Sequence, residues 1–133
     1  MTDTTLSKTV VTLIAASTSN AATATTRGTA DLRTALGGLL TIKLNNAGTL
    51  GAQAEARILI AHNTGATPTA ASAGADWKTV YVVGNGTVSG TTGEWNYDVP
   101  QGTMHIEVEV TGNTTNAVTC EAFLSRIDKA VSV

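Results

Sequence analysis

Met104-His105-Ile106-Glu107-Val108-Glu109-Val110 is the stretch on which the reading of this chain turns. Met104, Ile106, Val108 and Val110 alternate with His105, Glu107 and Glu109. A period of two places the apolar set on one face of a β-strand and the polar set on the other, in water. A helix would scatter the same glutamates around its surface. Outward from this stretch the pattern recurs. In Gly38 to Leu44, Leu40, Ile42 and Leu44 point inward and Thr41 and Lys43 outward. In Ala54 to His62, Ala56, Ile58 and Ile60 oppose Glu55, Arg57 and Leu59; both faces are partly apolar, which predicts a central strand covered on two sides.

Trp77 to Val83, Glu94 to Val99, Val118 to Leu124 (with room to run on to Ile127) and Thr9 to Ala15 complete the set, rich in β-branched and aromatic residues. Asn45-Asn46-Ala47-Gly48, Asn63-Thr64-Gly65, Gly84-Asn85-Gly86, Thr92-Gly93 and Gly112-Asn113 are expected to supply the φ > 0 positions of tight turns between them, and Pro100-Gln101-Gly102 turns the chain into the Met104 strand. The spacing predicts an all-β domain, an antiparallel β-sandwich or jelly roll of about 7–8 strands with an extended N-terminal arm. One short stretch, Ala30 to Leu36 before Gly37, has leucines four apart and suits a helical turn or an irregular strand. No internal repeat is visible.

The length of 133 residues fits a single domain, 1–133, able to bury about two thirds of its unfolded surface. Two stretches are low in complexity, Ala15 to Thr29 and Thr64 to Ala75. Small side chains contribute little to a core, so residues 1–8 and 15–30 read as extended arm or loop segments, free or ordered against a neighbouring subunit. Only 14 % of residues are charged, the net charge is −2, and 25 residues are threonine. The basic residues are spread evenly, so no nucleic-acid patch is expected. The N-terminus lacks a basic segment followed by a long apolar run, which argues against a secretory signal, and no apolar run approaches the ~20 residues of a spanning helix. A soluble product of a cytoplasm is expected.

The chemistry-bearing residues are sparse. Cys120, the single cysteine, sits in an alternating stretch and reads as a small buried hydrophobe. His62 and His105 have no histidine or cysteine at ligand spacing, so no metal and no cofactor is expected. Glu107 and Glu109 share a strand face, as a catalytic carboxylate pair would, and as any solvent-facing strand does. No Gly-x-Ser-x-Gly elbow occurs, and Gly84 to Gly90 lacks the lysine and following helix of a phosphate loop. No catalytic residue is assigned and the chain is expected to be no enzyme. Trp77, Tyr81, Trp95 and Tyr97 hold nearly all the aromatic area, with Trp77 and Tyr81 on one face and Trp95 and Tyr97 on another. They read as core fillers, as a platform for stacking sugars, or as interface anchors. Along the candidate arm, Thr18, Thr23, Thr25, Thr26 and Arg27 are interface candidates, as are Val131 and Val133 in an end segment that is apolar for a free terminus.

The span from Thr26-Arg27-Gly28-Thr29-Ala30-Asp31-Leu32-Arg33 to Gly37-Gly38-Leu39-Leu40-Thr41-Ile42-Lys43-Leu44-Asn45-Asn46 is similar in style to β-sandwich proteins of phage particles. In composition and strand rhythm the chain resembles small virion structural proteins of tailed bacteriophages, either head decoration (cement) proteins or neck and tail components. The resemblance implies a homo-oligomer in the virion, made in the host cytoplasm and bound to the major capsid protein or to neck or tail proteins, with neither nucleic acid nor membrane as partner. It transfers no functional residue. The alternatives are a neck, tail or fibre component, a carbohydrate-binding module using Trp77 and Trp95, and a small hydrolase with a site assembled from distant residues.

Overall fold

The computed structural model describes residues 4–69 and 76–132. They form eight strands: β1 (Thr4–Asn20), β2 (Thr26–Asp31), β3 (Gly38–Asn46), β4 (Glu55–Ala61), β5 (Lys78–Gly84), β6 (Thr92–Val99), β7 (His105–Thr111) and β8 (Val118–Ser132). The pairing follows a simple rule. β1 pairs with β8, β2 with β7, β3 with β6 and β4 with β5, all antiparallel. The chain is thus laid out as one long hairpin, which then rolls up. Two further ladders, β3 with β8 and β4 with β7, close it into sheets of order β1-β8-β3-β6 and β2-β7-β4-β5. This is an eight-stranded jelly roll, the second of the two architectures the strand spacing allows.

The two sheets meet through the apolar halves of the alternating strands. Leu40, Ile42 and Leu44 of β3 and Cys120, Ala122 and Leu124 of β8 face Ala56 and Ile58 of β4 and Ile106, Val108 and Val110 of β7. Burying a side chain of the leucine class stabilises the fold by roughly 1.5–3 kcal/mol, so these central strands carry most of the hydrophobic stabilisation. As expected, β4 is central; its inner face is buried at Ala56 and Ile58 and its outer face at Ala61, while Glu55 and Arg57 on the outer face stay partly exposed.

Three local expectations are corrected. No helix forms among the described residues: Ala30 and Asp31 end β2, and residues 32–37 cross to the other sheet through a turn in which the Ala35 N–H donates to the Leu32 carbonyl (3.1 Å). Leu32, one of the two leucines four apart, is buried in the core. Of the segments expected as arm or loop, residues 4–8 and 15–20 belong to β1, paired with β8, and residues 26–31 form β2, a strand the low-complexity composition concealed. Gly28 within it is required by packing, since a Cβ there would run into the Leu13 carbonyl oxygen of β1. Of the second low-complexity stretch, residues 70–75 lie outside the described residues.

The asparagines of the turns also have a different role from the one expected. Among the described residues the non-glycine positions at positive φ are Ser17, Thr23 and Thr115, and the glycines there are Gly37, Gly38, Gly86, Gly90 and Gly112. Asn20, Asn46, Asn85 and Asn113 are instead buried and act through their side chains. Asn20 Nδ2 donates to Asn113 Oδ1 (2.7 Å) and to the Ala24 carbonyl (3.1 Å), while its Oδ1 accepts from Thr26 Oγ1 (2.8 Å). Asn113 Nδ2 donates to the carbonyls of Asn20 (3.2 Å) and Asn116 (3.0 Å). The second pair repeats the design. Asn85 Nδ2 donates to Asn46 Oδ1 (3.1 Å) and to the Thr91 carbonyl (2.8 Å), and Asn46 Nδ2 donates to the Val88 carbonyl (3.0 Å). One pair ties the β1–β2 connection to β7–β8, the other ties β3–β4 to β5–β6. The β3–β4 and β7–β8 connections are then joined by Gly51 N–H to the Thr114 carbonyl (3.1 Å) and Asn116 Nδ2 to the Thr49 carbonyl (2.7 Å). All four connections at this end of the roll form one network.

Replacing Asn113 by alanine leaves several buried polar groups without partners, each costing about 1–3 kcal/mol. Asn113→Ala is expected to lower the unfolding free energy by about 3 kcal/mol or more in a urea titration, whereas Thr49→Ala, at an exposed position of the neighbouring β3–β4 connection, stays within about 0.5 kcal/mol.

Candidate functional site

The outer face of the β2-β7-β4-β5 sheet is where alternation predicted solvated residues, and half of it is sealed. His105 and Glu107 are fully buried and Glu109 is half-buried. The reason is the chain after β4, which folds back over the sheet as a strap. His105 Nε2 donates to the Asn63 carbonyl (2.9 Å), and Nδ1 shares a hydrogen bond with Thr67 Oγ1 (3.0 Å). Arg33 reaches across from the β2–β3 connection. Its Nη1 donates to the Thr64 carbonyl (3.2 Å) while Nε and Nη2 fork onto Asp31 at 3.0 and 2.7 Å. Trp77 Nε1 donates to the Thr69 carbonyl (3.1 Å). Arg27 stands between the two glutamates, 3.3 Å from Glu109 Oε2 and 3.8 Å from Glu107 Oε1. Chemically this is a polar layer whose bonds hold the strap to the sheet.

The outer face of the β1-β8-β3-β6 sheet is open. Near the β8 C-terminal half, Lys8, Gly38, Leu39, Asp98, Ser125 and Ile127 line a depression of about 390 Å³. Leu39 is 43 % exposed there, and along the free edge of the sheet Leu6 and Val10 are exposed as well. A second, more polar depression of about 280 Å³ lies among Thr41, Lys43, Glu94, Asn96 and Glu121. Lys43 and Glu94 form an exposed ion pair across it (3.7 Å). The first combines an apolar floor with one cation and one anion at its rim, a composition suited to a protein surface.

The aromatic candidates separate. A register shift in β5 sets Tyr81 opposite the inward Ile58 and Thr79 opposite the outward Leu59. Trp77 and Tyr81 therefore lie on opposite faces, a correction to the shared face read from spacing alone. Trp77 is buried under the strap. Trp95 and Tyr97 do share the inner face of β6, where they pack against the core, Trp95 lying over Gly93. Tyr81 stacks on Tyr97 with ring centroids 5.7 Å apart, closing the gap between the edge strands β5 and β6. No common platform of four rings exists.

The threonine candidates are engaged within the fold. Thr18 Oγ1 donates to the Ala15 carbonyl (2.6 Å), the Thr23 N–H donates to the Asn113 carbonyl (2.8 Å), Thr25 and Thr111 share a hydroxyl bond (2.8 Å), and Thr26 joins the asparagine network. Val131 pairs with Thr5 at the end of the β1–β8 ladder, and Val133 lies outside the described residues. Leu39 and Val10 escaped sequence reading because each sits in a regular strand. Leu39 precedes the inward Leu40, and that adjacency of two leucines in a period-two strand was the available signal.

Cys120 is buried with its thiol toward the Thr18 carbonyl (3.4 Å), and burial pushes its pKa up to about 11. Among the described residues no group of three or more His, Cys, Asp or Glu side chains is placed to hold a metal ion, and no helix is long and apolar enough to cross a membrane.

No protein-family model matches the sequence, and no curated protein matches it. Solved structures do. The chain is similar to the SPBc2 prophage-derived protein YomS, with 17 % identity over 94 % of this chain and 95 % of that one and a TM-score of 0.45. It is similar to the K3 cleaved adhesin domain of Lys-gingipain from Porphyromonas gingivalis w83, with 13 % identity over 80 % of this chain and 72 % of that one and a TM-score of 0.51. It is also similar to a family 29 carbohydrate-binding module from Piromyces equi, with 8 % identity over 93 % and 90 % and a TM-score of 0.46. What the K3 domain shares with this chain at that identity is the fold.

The strap has a built-in acid sensitivity. The Arg33 fork and the Arg33 N–H hold Asp31 down from 3.8 to about 2. A carboxylate with a depressed folded-state pKa contributes stability that is complete above its unfolded value and is lost as pH falls toward the folded one. Urea titrations between pH 3.8 and about 2 are expected to show the native chain losing stability more steeply than Asp31→Asn, the two curves converging at the acid end.

Proposed function

We propose that this chain is a structural subunit of a tailed-phage particle, a decoration protein that attaches to the head lattice through the open outer face of its β1-β8-β3-β6 sheet. The observation that carries the reading is the contrast between the two faces. One is half covered by its own strap, and the other, with no strap, presents the depression around Leu39 to solvent. The low charge, the abundance of threonine and the resemblance of the strand pattern to phage-particle proteins support the same reading. A weakly charged surface costs little to desolvate on association. Many copies on a symmetric shell convert modest single contacts into durable retention. The work is attachment, and turnover of a substrate has no part in it.

Purified heads are expected to bind the chain in symmetry-related, saturable numbers and to melt at a higher temperature once decorated. Leu39→Glu, which alters an exposed position and spares the core, is expected to weaken that binding roughly tenfold or more, since interface truncations at anchors cost about 2 kcal/mol. Binding to isolated tails with none to heads would move the protein to the neck or tail. Glycan binding without any particle, lost in Trp95→Ala, would replace the reading by the carbohydrate one.

A further inference from the structure

The free edge of β1 lacks the paired charges that the edge strands β2 (Arg27, Asp31) and β6 (Glu94, Asp98) carry. Leu6, Lys8, Thr9, Val10 and Thr12 are exposed, on both faces of the strand, and Val10 is 67 % exposed. Edge strands are commonly guarded by charges, prolines or bulges. Between Thr4 and Asn20 the only charged residue is Lys8, and there is no proline. The register shifts of the β1–β8 ladder fall between Ser7 and Lys8 and again after Thr12. They frame a regular five-residue segment, Lys8–Thr12, centred on Val10.

We propose that a second copy of this chain pairs antiparallel along this segment, with a two-fold axis at Val10, joining the two outer sheets into one of eight strands. An antiparallel strand edge is its own complement about a two-fold axis. In this register Val10 meets Val10 of the second copy and Lys8 lies opposite Thr12. Like charges therefore never face each other, which a register centred on Lys8 would force. The charges also match. On the outer face Thr12 is opposite Phe123, and Glu121 follows one row further along β8. Each Lys8 is thus delivered toward an aromatic ring and a carboxylate of the other copy, both favourable for a cation. The pairing leaves Leu39 uncovered and takes only Lys8 from the rim of that depression, and self-association of the isolated chain is read separately from attachment to heads.

The test uses the isolated full chain. Sedimentation is expected to give twice the monomer mass. Directly opposed Cα atoms in an antiparallel pair are about 4.5–5.5 Å apart, within disulfide reach. Val10→Cys is therefore expected to cross-link to itself on mild oxidation, and Lys8→Cys is not; native Cys120, buried, stays reduced. Val10→Lys and Val10→Glu, at an exposed position, are each expected to self-associate roughly tenfold more weakly or worse, and to pair when mixed. A monomeric native chain overturns the proposal even if heads still bind it. Cross-linking at Lys8 equal to that at Val10, or no recovery on mixing the charged variants, overturns the register and with it the two-fold at Val10.

Discussion

An asparagine side chain donates two hydrogen bonds and accepts two, and a jelly roll needs such a group wherever its connections cross between sheets. Crossing segments leave the ladders, and their backbone carbonyls turn inward with no strand to answer them. Asn20, Asn46, Asn85 and Asn113 answer them here. Each pair also bonds amide to amide, so the connection it serves is tied to the connection of the strand it runs beside. The rolled-hairpin pairing brings β1–β2 next to β7–β8 and β3–β4 next to β5–β6. The buried amides hold that arrangement where apolar packing alone would fix only the middle of the strands.

With one end stitched in this way, the character of the molecule is decided by its two outer faces. The sheet carrying β7 turns a charged row outward and then covers it with the strap, anchored by His105, Arg33 and Trp77. The sheet carrying β1 has no such cover and keeps its apolar side chains at the surface. A jelly roll places no constraint on chemistry by itself; what marks this one is the asymmetry between a half-covered and an uncovered face.

Much of the fold was legible. Met104 to Val110, Gly38 to Leu44 and Ala54 to His62 announce themselves because their inward residues are large and their alternation is strict. β2 was hidden since its inward positions are Thr26, Gly28 and Ala30, small residues of which Gly28 is imposed by the close approach of β1. The strap was hidden for a different reason. Alternation tells which residues share a face and says nothing of what later covers it, so the burial of His105 and Glu107 had no local signal. The split of Trp77 from Tyr81 rests on one extra residue in β5, a bulge that no composition rule marks. The asparagines were seen and given the wrong task, because turn chemistry and inward side-chain bonding favour the same residue type.

Asn85-Gly86 is the dipeptide most prone to deamidation, a reaction in which the glycine nitrogen attacks the preceding side-chain amide and closes a succinimide ring. Here the nucleophile and the electrophile are both occupied. The Gly86 N–H donates to Gln53 Oε1 (3.1 Å), and the Asn85 amide is held by Asn46 and the Thr91 carbonyl. The folded chain therefore shields its most perishable bond from ageing, and its chemical lifetime is coupled to how rarely that end of the roll opens.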